Sequence, residues 1–69
     1  MKRTSIDSSS LASVGYDPRN QVLEVEFQGG RVYQYSEVPP DVWRSLLEAD
    51  SAGRFMNREI RGVYPSRPV

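Results

Sequence analysis

The stretch Leu23 to Tyr35, LEVEFQGGRVYQY, holds two runs of alternating side chains on either side of a glycine pair. Leu23, Val25 and Phe27 alternate with Glu24 and Glu26, and Tyr33 and Tyr35 flank Gln34. Alternation at this period marks half-buried strands, and Gly29-Gly30 supplies the positive-φ positions that a hairpin turn requires. Loop length then decides which face the tyrosines occupy, because a one-residue change of register moves every side chain across the sheet. A two-residue loop sets Tyr33 opposite Glu26 and Tyr35 opposite Glu24, on an acidic face. A three-residue loop, Gln28 to Gly30 with a left-handed glycine in a bulge, pairs Phe27 with Arg31, Val25 with Tyr33 and Leu23 with Tyr35. The second register gathers every bulky group on one face and is the consistent one. The sequence therefore predicts that Tyr33 and Tyr35 are structural, their rings in the core and their hydroxyls at its margin.

Leu11 to Tyr16 reads as a strand upstream of this hairpin, with Ala12, Val14 and Tyr16 alternating with Ser13 and Gly15, and Asp17-Pro18-Arg19-Asn20 has the composition of a β-turn. Downstream, Pro40 suits the first position of a helix, where its missing N–H costs nothing, and Asp41 complements the helix dipole. Val42, Trp43, Leu46 and Leu47 form its apolar stripe, which should lie on the sheet. Asp50-Ser51 offers a cap for a second, shorter helix from Ala52 to about Arg61, despite the cost of about 1 kcal/mol for Gly53, and Gly62 is a natural stop. Val63-Tyr64-Pro65 is expected to return along a sheet edge. The fold class expected is α+β, a three-stranded antiparallel meander followed by two short helices packed on one sheet face. Residues 1–8 are read as frayed or disordered, 9–64 as a single domain and 65–69 as a C-terminal tail.

A chain of 69 residues makes one domain at most. At that length only roughly 60% of the unfolded surface is removed from water, so the core is small. With no cysteine and no histidine, the usual ligands of zinc, haem and iron–sulfur sites are missing, and neither a metal nor a cofactor is expected. No apolar run approaches the ~20 residues of a membrane span, and MKRTSIDSSS lacks the apolar core of a signal peptide, so a cytoplasmic protein is expected. The formal net charge is zero, yet residues 17–50 hold three arginines against seven acids while residues 51–69 hold four arginines against Glu59 alone.

The chain resembles the KTSC domain, a module named after the C-terminal extension of some lysyl-tRNA synthetases and also found in stand-alone bacterial and phage proteins. The resemblance rests on Ser13 to Asp17 (SVGYD), Leu23 to Phe27 (LEVEF), Tyr33-Gln34-Tyr35, Val38-Pro39-Pro40, Gly53 to Asn57 (GRFMN) and Ile60 to Tyr64 (IRGVY). It implies a family of unknown function, for which RNA binding is an analogy from the synthetase context and not from a site.

Arg54, Arg58 and Arg61 are the candidate RNA- or anion-binding residues. At about 100° per residue they fall within roughly 60° of one another on a helix, a basic stripe able to hold phosphates. Arg31 and Arg67 are further arginines that could extend it. Trp43 on the apolar stripe reads as core, Asn57 as a partner for loop backbone, and Gly29-Gly30 as turn residues with no phosphate-loop spacing. Catalysis is not expected: Glu24 and Glu26 share an exposed strand face, with no burial or pocket to separate their pKa values. The leading expectation is a small non-catalytic binding module with RNA as its ligand. Its alternative is a protein-interaction or homo-oligomeric module, a homodimer in the simplest case, because a three-stranded sheet has two edges to cover.

Overall fold

The computed structural model describes all 69 residues and shows an α+β fold with five strands, not three. The strands are β1 (Arg3–Ser5), β2 (Leu11–Asp17), β3 (Val22–Phe27), β4 (Val32–Tyr35) and β5 (Ser66–Pro68), all antiparallel and in sequential order across the sheet. The helices α1 (Pro40–Glu48) and α2 (Ala52–Phe55) lie in the chain between β4 and β5. The two added strands fall in segments whose sequences, RTS and SRP, carry no alternation of their own. Pairing with β2 and β4 organises them.

The β3–β4 hairpin has the three-residue loop. Leu23 pairs with Tyr35 and Val25 with Tyr33. The Phe27 N–H donates to the Arg31 carbonyl at 2.8 Å, and Gly29 and Gly30 both have positive φ (103° and 96°). The first turn is held as its composition predicts, with Asp17 Oδ1 accepting from the N–H groups of Arg19 (3.0 Å) and Asn20 (3.3 Å). A bulge in β2 between Leu11 and Ser13 breaks strict alternation, so Leu11 shares the core with Val14. That core also takes Leu23, Val25 and Tyr35 from the sheet, Val38 from the β4–α1 connection, and Leu46, Ala52, Met56 and Ile60 from the helical layer.

Helix α1 starts at Pro40, after Pro39, with Asp41 in its first turn. Leu46 is buried and Trp43 stacks on Tyr16, with ring centroids 5.5 Å apart and planes 10° from parallel. The fourth member of the predicted stripe does not join it: Leu47 is 51% exposed. One turn of α-helix meets the small sheet through Leu46 and its partly buried neighbours Val42 and Trp43, and Leu47 lies beyond that contact. Ser51 caps α2 by accepting the Arg54 N–H at 3.2 Å. The predicted single helix to Arg61 is instead a short α-helix that widens into a π-helical turn, Met56–Ile60, closed by the Arg61 N–H on the Met56 carbonyl at 2.9 Å. Gly62, at φ 77°, ends it. The chain turns through Val63 and Tyr64, whose N–H groups both donate to the Ile60 carbonyl, before β5 begins at Ser66, three residues later than the sequence predicts.

The sheet face away from the helices carries a transverse polar line. Arg3 pairs across β2 with Gly15, which pairs with Glu24, which pairs with Gln34, which pairs with Arg67. Arg3 Nη1 reaches Glu24 Oε2 at 3.4 Å, Gln34 Nε2 donates to Glu24 Oε1 at 2.9 Å, and Arg67 Nη2 donates to Gln34 Oε1 at 3.1 Å. Gly15 makes the first link possible, because a Cβ there would lie 3.0 Å from Arg3 Cγ and 2.6 Å from the Lys2 carbonyl oxygen. Arg67 is thereby committed to the outer face.

Gly15→Ala should consequently displace β1 and lower stability by about 1–3 kcal/mol in urea unfolding, as expected of overpacking. Arg3→Ala, which removes only a partly exposed ion pair, should cost under about 1 kcal/mol.

A second expectation concerns alkaline pH. Burial pushes the Tyr35 hydroxyl above its ordinary value of 10.0, and burial followed by the Asp17 charge does the same to Tyr16. The unfolded chain ionises first, so the contribution of these phenols is complete below pH about 10 and is lost as pH rises through their folded-state values. In pH-resolved thermal unfolding, Tyr35→Phe should show a smaller loss of stability above pH about 10 than the unaltered chain.

Candidate functional site

The register of the β3–β4 hairpin sets Arg31 beside Phe27, at the end of the sheet where the π-helical turn finishes. Arg61, the residue that closes that turn, adopts an extended backbone (φ −66°, ψ 128°) and leaves the helical surface. Its guanidinium carbon stands 5.9 Å from the centre of the Phe27 ring, a cation–π geometry, and its Nη1 donates to Asn57 Oδ1 at 3.1 Å. Phe27 also meets Tyr33 edge to face, with centroids 6.0 Å apart and planes at 78°. Together with Tyr35, Gly62 and Ser66 these side chains line an open hollow of about 460 Å³.

The π turn explains why the predicted arginine stripe is not continuous. Each bond in such a turn spans five residues instead of four, so side chains three and four apart no longer stack. Arg54 and Arg58 line a different hollow, shared with Glu48 and Asp50, and Arg58 Nε lies 3.5 Å from Glu59 Oε2. Arg61 instead joins Arg31. Neither Arg31 nor Arg61 forms an ion pair with a carboxylate, and no acidic side chain lines their hollow. Of the two arginines that the sequence offers as extensions of the patch, Arg31 reaches this site and Arg67 does not.

The tyrosines of the YxY stretch take different places. Tyr35 is 4% exposed and belongs to the core. Burial dominates its raised pKa, and the Arg61 charge acts in the opposite direction. Tyr33 is partly buried and forms part of the hollow's wall. Asn57 contacts a guanidinium rather than the loop backbone that the sequence predicts. Phe27 and Ser66 are site residues that sequence reasoning missed. The hairpin register already pairs Phe27 with Arg31 and could have found the first. Nothing in the tail sequence SRP signals the second, because Ser66 arrives only through strand pairing with Tyr35. No group of acids, histidines or cysteines that could hold a metal is present, and no helix is long and apolar enough to cross a membrane.

Comparison with known proteins gives concordant results. The KTSC domain model matches residues 7–64. An uncharacterized protein from Stutzerimonas stutzeri is 59% identical over 61 residues, covering 88% of this chain and 86% of its own. A lysine–tRNA ligase from Nostoc punctiforme is 36% identical over 58 residues, covering 84% of this chain and 10% of the ligase. The crystal structure of a KTSC domain protein from Yersinia pestis superposes with a TM-score of 0.94 at 38% identity, covering 99% of this chain and 96% of that one. Motif order, five-stranded fold and sequence identity agree, and the chain belongs to the KTSC domain family.

Proposed function

We propose that this protein is a non-catalytic RNA-binding module and that Arg31 and Arg61, at the aromatic hollow, make the principal contact. The observation that carries the reading is the pairing of two guanidiniums free of carboxylate partners with the rings of Tyr33 and Phe27. Single-stranded nucleic acid is held by this combination, since cationic groups meet the phosphates and aromatic surfaces meet the bases. Arg54 and Arg58 are weaker candidates, because Glu48, Asp50 and Glu59 offset their charge locally. The hollow has no carboxylate, histidine or cysteine among its lining residues, so it holds no usual general base, which supports binding without catalysis.

The alternative of edge-to-edge self-association has less support in the geometry. Both sheet edges are three-residue strands, and Pro68 removes a donor from β5. Short edges and edge prolines are devices that discourage strand pairing between molecules. The match to part of lysine–tRNA ligases is consistent with an RNA ligand, although it concerns those proteins and not a site in this one.

Titration against single-stranded and hairpin RNA at two salt concentrations tests the proposal. Arg31→Ala and Arg61→Ala should each weaken binding similarly for every sequence and lower the salt slope by about 0.7 per single-strand phosphate contact. Arg54→Ala and Arg58→Ala should have smaller effects. Stability should change by under about 0.5 kcal/mol in all four variants, as is usual for exposed charges. Equal, negligible binding by the unaltered chain and the Arg31/Arg61 double variant would remove the RNA reading.

A further inference from the structure

Two features of the hollow narrow its ligand further. The first is the number and isolation of its charges. A protein that tracks an RNA backbone needs a groove of successive cations, one for each phosphodiester. Here two arginines without carboxylate partners line one hollow, Arg31 set beside Phe27 by the backbone bond of the hairpin and Arg61 with its guanidinium over the Phe27 ring. The other arginine pair lies in a separate hollow with two acids, and Arg67 is turned to the far face of the sheet. A concentrated double positive charge matches an anion bearing close to two negative charges at one centre. A phosphomonoester carries about −1.5 to −2 at neutral pH with three strong acceptor oxygens, whereas an internal phosphodiester carries a single charge.

The second feature is how Arg61 is held. Its guanidinium donates to a neutral amide oxygen, Asn57 Oδ1, at 3.1 Å. An aspartate in that place would accept the same hydrogen bond but would neutralise the charge. The asparagine restrains the fork while leaving its charge and its remaining N–H groups available, which is the arrangement that bidentate recognition of phosphate requires. The extended backbone at Arg61 and the widened turn before it put the two residues in this relation.

Resting on the RNA-binding reading, we propose that the Arg31–Arg61 hollow is the receptor for a phosphomonoester at one end of an RNA chain, with Asn57 as the positioning residue that aims Arg61. The terminal phosphate sits between the two guanidiniums, and the terminal base lies against the corner formed by the Tyr33 and Phe27 rings.

The test compares uridine hexanucleotides with both ends hydroxylated, with a 5′-phosphate and with a 3′-phosphate, by fluorescence anisotropy competition. One of the two phosphorylated ends should bind about tenfold tighter than the unphosphorylated oligomer, the scale of added hydrogen bonds to charged groups. Asn57→Asp should erase that preference while leaving the urea midpoint in place, and Asn57→Ala should reduce it. RNA binding without any preference for a phosphorylated end would overturn this assignment and leave the RNA-binding reading standing. A preference that survives Asn57→Asp would place the receptor elsewhere and also overturn it. Absence of binding by all three oligomers and by a longer hairpin RNA would overturn both.

Discussion

The hydrogen bond from the Phe27 N–H to the Arg31 carbonyl, 2.8 Å long, fixes the parity of the central hairpin. Everything on either side of the sheet depends on that parity. With three residues in the loop, Leu23, Val25, Tyr33 and Tyr35 face the helices, and Glu24 and Gln34 face outward. A slip of one residue would set the tyrosines against Glu24 and Glu26 and take Tyr33 and Tyr35 out of the sheet surface that Leu46, Met56 and Ile60 cover. It would also part Arg31 from Phe27, so the same bond that orders the core assembles the hollow. Two glycines with positive φ make the loop inexpensive, and no side chain need enter that region of backbone space.

The charge pattern of the chain is resolved by the fold into compartments. Glu24 and Glu26, central and acidic in sequence, are matched on the outer face by Arg3, Gln34 and Ser13, whose hydroxyl donates to Glu26 at 2.9 Å. Arg54 and Arg58 lie beside the acids that end α1. Arg31 and Arg61 alone converge where no acid is present. An even formal charge therefore coexists with one locally cationic hollow, and its field is not cancelled by close neighbours.

Local pattern made the centre of this fold legible. The alternation of Leu23 to Phe27, the glycine pair, the Asp17-Pro18 turn and the Pro40 helix start each carry their own signal, and each is where it is expected. The edges were not legible, because Arg3–Ser5 and Ser66–Pro68 are short polar segments ordered by their neighbours and not by their own side chains. Leu11 was hidden by the bulge, and the break in the arginine stripe by the π turn, since both depart from the periods of two and 3.6 on which such reading rests. Gly15 looks in sequence like a gap in an alternation; in three dimensions it is the channel through which the Arg3 side chain crosses a strand. The site was half visible: Arg61 and Arg31 were identifiable as candidate cations, whereas Tyr33 reads in sequence as structural and the company Arg61 keeps is decided by the turn beneath it.

The order of the strands has a consequence for how this domain can be joined to others. Each neighbouring pair is antiparallel, so β1 and β5 run in the same direction at opposite margins of the sheet. The chain enters at one corner and leaves at the diagonally opposed one, four strand spacings away, or roughly 19 Å at about 4.8 Å per step. Many domains have adjacent termini and tolerate insertion into a loop of a host protein. This one would force the loop open. Its geometry suits threading in line, like a bead whose two holes face apart: the entry lies at the end of the sheet away from the hairpin, and the exit lies at the hairpin end, where the Val69 N–H donates to the Val32 carbonyl at 2.9 Å.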